Sequence, residues 1–226
     1  MNREKFLARV REATIAGRAH RVHIDPTLPA SVGYVGGGAD LVESLATEIN
    51  AVGGSATVVE DLDAARDQLL DLLALYQPKS ALCWRHPLLD RLDLNSILAE
   101  QRVAQLDYES LSLIPSIAQR EKMVAADIGI TSVSYAVAET GSLVVTSQPG
   151  QERLASLLPP VHIAIVERSQ IVPDLFDMFA ILGRQIETGL PTNLAFITGP
   201  SKTGDIELTL ITGVHGPGKW HVIVIR

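Results

Sequence analysis

One cysteine in 226 residues is the sequence's most telling shortage. Cys83 alone closes no disulfide and builds no Cys-rich metal site. An iron–sulfur cluster takes about four thiolates, so this chain cannot hold one by itself. In the apolar run Ser80–Trp84 the thiol reads as a packed core residue rather than a nucleophile. Aromatic residues are also scarce, at 4%, which leaves a core of Leu, Ile, Val and Ala, as strands covered by helices use. Basic residues are outnumbered, and the net charge of −7 argues against a nucleic-acid partner. The one basic cluster, Arg18, His20, Arg21 and His23, reads as a solvated linker. Every apolar run is far shorter than the 18 or more residues of a membrane span. With no apolar leader after Met1, the expected location is the cytoplasm.

What is present is an alternation. Residues 3–15 place Phe6, Leu7, Val10 and Ala13 near helical spacing, which predicts an amphipathic helix that packs on the rest of the chain or on a second copy. From 17 to 33 the pattern stops, with Pro26 and Pro29 inside, so an extended arm is expected there. Helices are predicted at 39–52, 62–76, 88–99 and 116–126, and strands at 56–59, 80–84 and 103–106. Strands and helices in this order imply βαβ units and a mostly parallel sheet. After Asp127 the texture becomes strand-rich: 128–137, 141–146, 162–166, 194–198 and 220–225, with one helix at 174–187. The expected architecture is α/β: residues 1–33 as helix and arm, and 34–226 as one open, mostly parallel sheet flanked by helices.

Four segments stand out chemically. Glu139-Thr140-Gly141-Ser142 sets a carboxylate and two hydroxyls around a glycine between strands. It reads either as a turn with Gly141 at positive φ or as a nucleophile or base at a strand end, where open α/β sheets put ligands. Arg153 and His162 bracket an apolar stretch with a Pro159-Pro160 break, and His162 reads as hydrogen-bonded scaffold. Gly199-Pro-Ser201-Lys202-Thr203-Gly-Asp205 follows an apolar strand and offers amides, hydroxyls and an ammonium, as an anion nest would. It is not a Walker loop, since Ser201 and Phe196 stand where that motif needs glycines. Nor is it a nucleophile elbow, because Thr203 takes the last glycine's place. A polar turn remains the alternative. Gly213-Val-His215-Gly-Pro-Gly218 holds a histidine between glycines. No third ligand accompanies His215 and His221, so no metal site is expected. Gly36-Gly37-Gly38 lacks the third glycine of a dinucleotide fingerprint, where Leu41 stands.

Five segments in register, Ala126–Thr131, Ala138–Ser142, Ser156–His162, Gly199–Glu207 and Gly213–Pro217, resemble the LUD domain of the LutC/YkgG lactate-utilisation proteins. The clear match covers about residues 120–226. Lys202 stands where Arg is frequent and Gly204 where Ala is common, which weakens any claim to bidentate anion contacts. The resemblance implies a fold like that of the ribose-phosphate isomerase and CoA-transferase superfamily. It also implies a role in oxidising L-lactate to pyruvate beside iron–sulfur partner proteins of the LutA and LutB kind.

Two functions follow as expectations. One is an accessory or small-carboxylate-binding subunit of that system with no redox cofactor of its own. The other is a stand-alone enzyme of the isomerase or CoA-transferase kind, with Glu139 as nucleophile or base and the 199–205 loop on a phosphate or carboxylate. A pure assembly scaffold would leave these segments as turns. The sharpest expectation is one pocket where Glu139 and His215 act on a ligand bound by Thr140, Gly141, Ser142, Gly199, Ser201, Lys202, Thr203 and Asp205. The composition further predicts that the purified chain is colourless. Metal analysis and absorbance spectra check this, and stoichiometric iron or flavin would contradict it.

Overall fold

A computed structural model describes residues 3–17, 36–186, 189, 191–204 and 210–226. The chain splits into two units, Met1–Tyr34 and Val35–Arg226. In the first, helix α1 runs over Arg3–Gly17. The expected arm lies outside the described residues.

The second unit starts with three βα steps. Asp40 accepts the Val42 and Glu43 amides and so starts α2, Leu41–Ala51. Such a cap satisfies amides that the first turn cannot. Strand β1 (Ser55–Val59) follows, then α3 (Leu62–Tyr76), capped by Asp61, and β2 (Ser80–Cys83). The helix predicted at 88–99 is two: α4 (Pro87–Arg91) and α5 (Leu94–Glu100), broken where Asp93 takes a left-handed φ of 59°. Strand β3 (Ala104–Leu106), α6 (Tyr108–Ser112) and α7 (Ser116–Val124) complete this half.

The run 128–137, expected as one strand, is also two. Strand β4 (Ile128–Thr131) stays in the parallel sheet, while β5 (Tyr135–Val137) crosses into a second sheet. The break falls at Ser132-Val133-Ser134, where Val133 stays in the core and Ser134 pairs with Thr146 as the chain changes layers. Strand β6 (Ser142–Thr146) turns back on β5 in antiparallel register. A 3₁₀ turn at Arg153–Ser156 then leads to β7 (Val161–Glu167), β8 (Ile171–Val172) and α8 (Leu175–Gln185). Strands β9 (Leu194–Ile197), β10 (Lys202–Gly204), β11 (Leu210–Thr212) and β12 (Lys219–Ile225) end the chain.

The main sheet has six strands in the order β1-β12-β7-β4-β2-β3, all pairs parallel. Two of its interior strands, β7 over 161–166 and β4, are buried end to end, as a sheet covered on both faces requires. This is the α/β parallel sheet flanked by helices that the alternation implies. To it the structure adds a four-stranded sheet, β8-β5-β6-β9, and a β10-β11 hairpin. The second sheet buries Val137 and Val144 against Met178 of α8. Cys83 is a core thiol, buried and held well above its ordinary pKa by desolvation. Among the described residues no helix is long and apolar enough to cross a membrane.

One contact fixes how the 3₁₀ turn meets the sheet. A Cβ added to Gly129 of β4 would lie 1.8 Å from the Ala155 carbonyl oxygen. Both partners are backbone, so neither can swing away. Gly129→Ala is therefore expected to destabilise the fold by at least the ~3 kcal/mol at the upper end of overpacking effects. An unchanged denaturation midpoint would contradict this packing.

Candidate functional site

The amino ends of β7 and β12, rather than the carboxyl ends of the sheet, carry the site. The segment Gly213–Gly218 precedes β12, so His215 is delivered to the end where β12 begins. Two bonds fasten it there: Ser201 donates its amide to Pro217 O at 2.9 Å, and Gly218 donates to Pro160 O at 3.0 Å. Gly213 has φ 82°, and a Cβ on it would stand 3.1 Å from Gly218 Cα. The hairpin around His215 therefore closes only with glycine at both ends.

Below this hairpin lies a cavity of about 240 Å³. Its walls include Ser156, Thr198, Ser201 and His215, and its floor is His162 and Trp220. The floor follows from strand register. Gly129, His162 and Trp220 are successive partners across β4, β7 and β12, so they share one face of the sheet. Gly54, just before β1, continues the row: a Cβ there would lie 2.5 Å from Trp220 Cε3. The Trp220 ring takes the space that a side chain at Gly54 would need, while at Gly129 that space goes to the Ala155 carbonyl. On the opposite face, the Tyr76 hydroxyl and His221 Nε2 meet at 2.7 Å, tying α3 to β12.

His162 is buried, its Nε2 sits 2.9 Å from Thr131 Oγ1, and desolvation lowers its pKa from 6.5 to about 3. The ring is neutral at any physiological pH. Its Nδ1, and Nε1 of Trp220, are buried without a hydrogen-bond partner.

The residues singled out from sequence are divided between two places. Ser201, Gly199 and His215 line the cavity. Glu139 does not; its Oε2 accepts the Leu175 amide at 3.3 Å and so caps α8 beside Asp174. Gly141 takes the positive φ, 63°, of a tight turn. A Cβ there would lie 2.6 Å from the Ile49 amide nitrogen, so the turn packs directly on α2. A row of hydroxyls connects turn and cavity: Thr140 donates to Ser142 at 2.8 Å, and Ser142 meets Thr198 at 2.7 Å. Lys202 turns away to donate to Val52 O at the end of α2, 2.7 Å distant. Lys202, Thr203 and Gly204 belong to the β10-β11 ladder, so the expected amide nest is a hairpin strand. Asp205 lies outside the described residues. His162 and Trp220 were missed as site residues. A signal existed in Trp220-His221 and Val161-His162, each a polar ring at the start of an apolar strand. Among the described residues no set of His, Cys, Asp and Glu is grouped to hold a metal.

A second, wider cleft of about 1210 Å³ lies along β5, β6 and the start of β9, bordered by Gln148, Arg153 and Leu182. None of the residues expected to act on a ligand borders it.

The main sheet, the added sheet and the small cavity at their junction define an α/β protein with a ligand-sized pocket at the amino ends of its strands. The family model of the LUD domain matches residues 42–225, and this chain belongs to the LUD domain family. A Lactate utilization protein C from Halalkalibacterium halodurans is 37% identical over 171 residues, 74% of this chain and 70% of that protein. Another, from Shouchella clausii, is 34% identical over 190 residues, covering 82% of this chain and 79% of its own. A solved DUF162 family protein from Deinococcus radiodurans shares the fold, with a TM-score of 0.56 at 20% identity over 82% of this chain and 96% of that one.

The His162 environment has a consequence for stability. The unfolded chain takes up a proton below about pH 6.5, while the folded ring refuses it until about pH 3. Stability from this group is therefore full above pH 6.5 and falls as pH drops, by up to about 1.4 kcal/mol per unit. His162→Gln is expected to flatten the loss between about pH 4 and 6 by roughly that slope. Urea titrations of both proteins across this range check it, and parallel curves would contradict it.

Proposed function

We propose that this chain serves lactate utilisation as the component without a redox centre, in a cytosolic iron–sulfur system that oxidises L-lactate to pyruvate. Its part is to hold a small carboxylate in the cavity between the 198–201 and 213–217 segments. The observation that carries this reading is the cavity itself. At about 240 Å³ it equals the space of roughly eight waters at ~30 Å³ each, room for a short acid and too little for a flavin or dinucleotide.

The chemistry of the walls supports the same reading. Ser201 and Thr198 bring hydroxyls, which both donate and accept, and His215 brings an exposed imidazole. Such groups suit an acid that carries a hydroxyl or oxo group beside its carboxylate. Glu139 does not line this cavity, which gives no support to a stand-alone transferase, whose carboxylate must face its substrate. Names of the two relatives described above point to lactate, and iron–sulfur partners are what the resemblance to the LutC-type proteins implies. Removing two electrons from lactate needs an acceptor, which one buried thiol cannot be.

The test is lactate-dependent dye reduction by the reconstituted partner proteins with and without this chain. The expected result is a loss of at least ten-fold when it is omitted, restored by adding it back. Equal rates in both arms would remove the proposal.

A further inference from the structure

Two ring nitrogens are left over once the hydrogen bonds around the cavity are assigned, and the residues that carry them are neighbours. His162 and Trp220 are register partners on β7 and β12, so their side chains rise from the same face about one strand spacing, ~4.8 Å, apart. Both residues line the cavity, and they are only 1% and 3% exposed. His162 Nδ1 and Trp220 Nε1 nevertheless have no partner. Buried polar atoms are nearly always paired, so two adjacent exceptions on one cavity floor ask for an occupant.

Thr131 decides what kind of occupant. Its side chain is fully buried, and its Oγ1 meets His162 Nε2 at 2.9 Å. A buried hydroxyl proton needs an acceptor, and among the described residues that ring nitrogen is the one bonded to it. Thr131 therefore donates, Nε2 accepts, and the single proton of the neutral ring sits on Nδ1. The opposite tautomer would orphan both the hydroxyl proton and the Nδ1 lone pair. Trp220 Nε1 can only donate. Its Cε3–Cζ3 edge fills the notch at Gly54, which leaves the pyrrole edge, with its N–H, on the far side of the ring. The two floor residues thus carry two uncharged, unpartnered N–H donors and no free acceptor.

We propose that the His162 Nδ1–H and Trp220 Nε1–H groups together hold oxygen atoms of a small carboxylate, with Thr131 as the positioning residue that fixes the His162 tautomer. The proposal rests on the reading of the cavity as a small-acid pocket. It assigns the anion's hold to two neutral donors, with Lys202 spent on the end of α2. Preformed N–H pairs of this kind bind oxyanions without a full positive charge, because the surrounding low dielectric strengthens each bond. The burial of Thr131, His162 and Trp220 supplies that low dielectric, and Leu157, Phe196, Pro200 and Pro217 add apolar walls.

The sequence offers a clean measurement, since it has two tryptophans. Trp84 Nε1 already donates to Glu152 O at 2.9 Å, so its indole signal is an internal reference. The ¹⁵N-labelled full chain is titrated with sodium pyruvate, and separately with sodium L-lactate, while calorimetry measures affinity. The Trp220 indole signal is expected to move saturably and the Trp84 signal to stay. Trp220→Phe and His162→Phe are each expected to weaken pyruvate binding about ten-fold or more, the scale of a lost hydrogen bond to a charged group. His162→Asn, whose amide can place an N–H near the Nδ1 position, is expected to recover part of that loss. Thr131→Val is expected to weaken binding and to change the ¹⁵N tautomer signature of His162, which a purely structural role would not do. Calorimetric binding with an unmoved Trp220 signal and an unaffected Trp220→Phe would overturn the donor pair and leave the pocket reading standing. Binding lost in Lys202→Ala but kept in Trp220→Phe would do the same. No binding of either acid by either method would overturn both.

Discussion

The geometry of the site depends on two missing side chains. Across the parallel sheet, one residue in from the amino ends, the row runs Gly129, His162, Trp220, with Gly54 beyond. Parallel register forces all of them onto one face. Side chains at both outer positions would compete with the rings and with the turn that covers them. At Gly129 the space goes to the Ala155 carbonyl, which brings the 153–156 turn down onto the sheet and sets Ser156 into the cavity wall. At Gly54 the space goes to the edge of the Trp220 ring. The cavity is what remains between the two rings, the 153–156 turn and the 198–201 and 213–217 segments.

Placing a pocket at the amino ends goes against the usual habit of open α/β sheets, whose ligands lie beyond the carboxyl ends. Here the carboxyl ends of β1 and β12 are occupied by charge. Arg226 bonds Asp40, Glu43 and Glu60 there, and these exposed pairs tie the end of β12 to the start of α2. The amino ends are covered by the extra layer, in which β9 runs into the 198–201 segment and the hairpin at 213–217 returns to β12. The second sheet, an addition to the plain βαβ pattern, creates the roof under which a cavity can form.

The main sheet was legible because its signals are local. Short apolar runs with helices between them fixed β1, β2, β7 and β12 almost to the residue. The failures have a common cause, which is that sheet membership is decided by distant residues. Ile128–Val137 looks like one strand because all of it is β-prone; only the register with Ala81–Cys83 on one side and with Ser142–Val144 on the other divides it. Lys202 looked like an anion ligand because a loop after a strand with a lysine fits that chemistry. Its real partner, the Val52 carbonyl, is 150 positions away. His162 read as a scaffold histidine, and its Nε2 indeed bonds Thr131. That bond also determines what the other nitrogen offers, and sequence cannot reveal it because Thr131 and Trp220 become neighbours of His162 only through strand order.

Neutral donors suit a small acid in this protein better than a lysine would. The whole chain carries a net charge of −7, so no long-range field draws anions in, and recognition must come from short-range contacts. A lysine at the buried floor beside His162 and Trp220 would lose much of its hydration, and when the site emptied it would remain as an uncompensated charge there. An indole and a neutral imidazole leave only unpaired N–H groups when the cavity is empty, a smaller penalty. The same choice favours release. A carboxylate held by two uncharged N–H groups departs without breaking an ion pair. With its pKa near 3, His162 cannot become a cation at working pH, so the hold on the acid stays a hydrogen-bonded one.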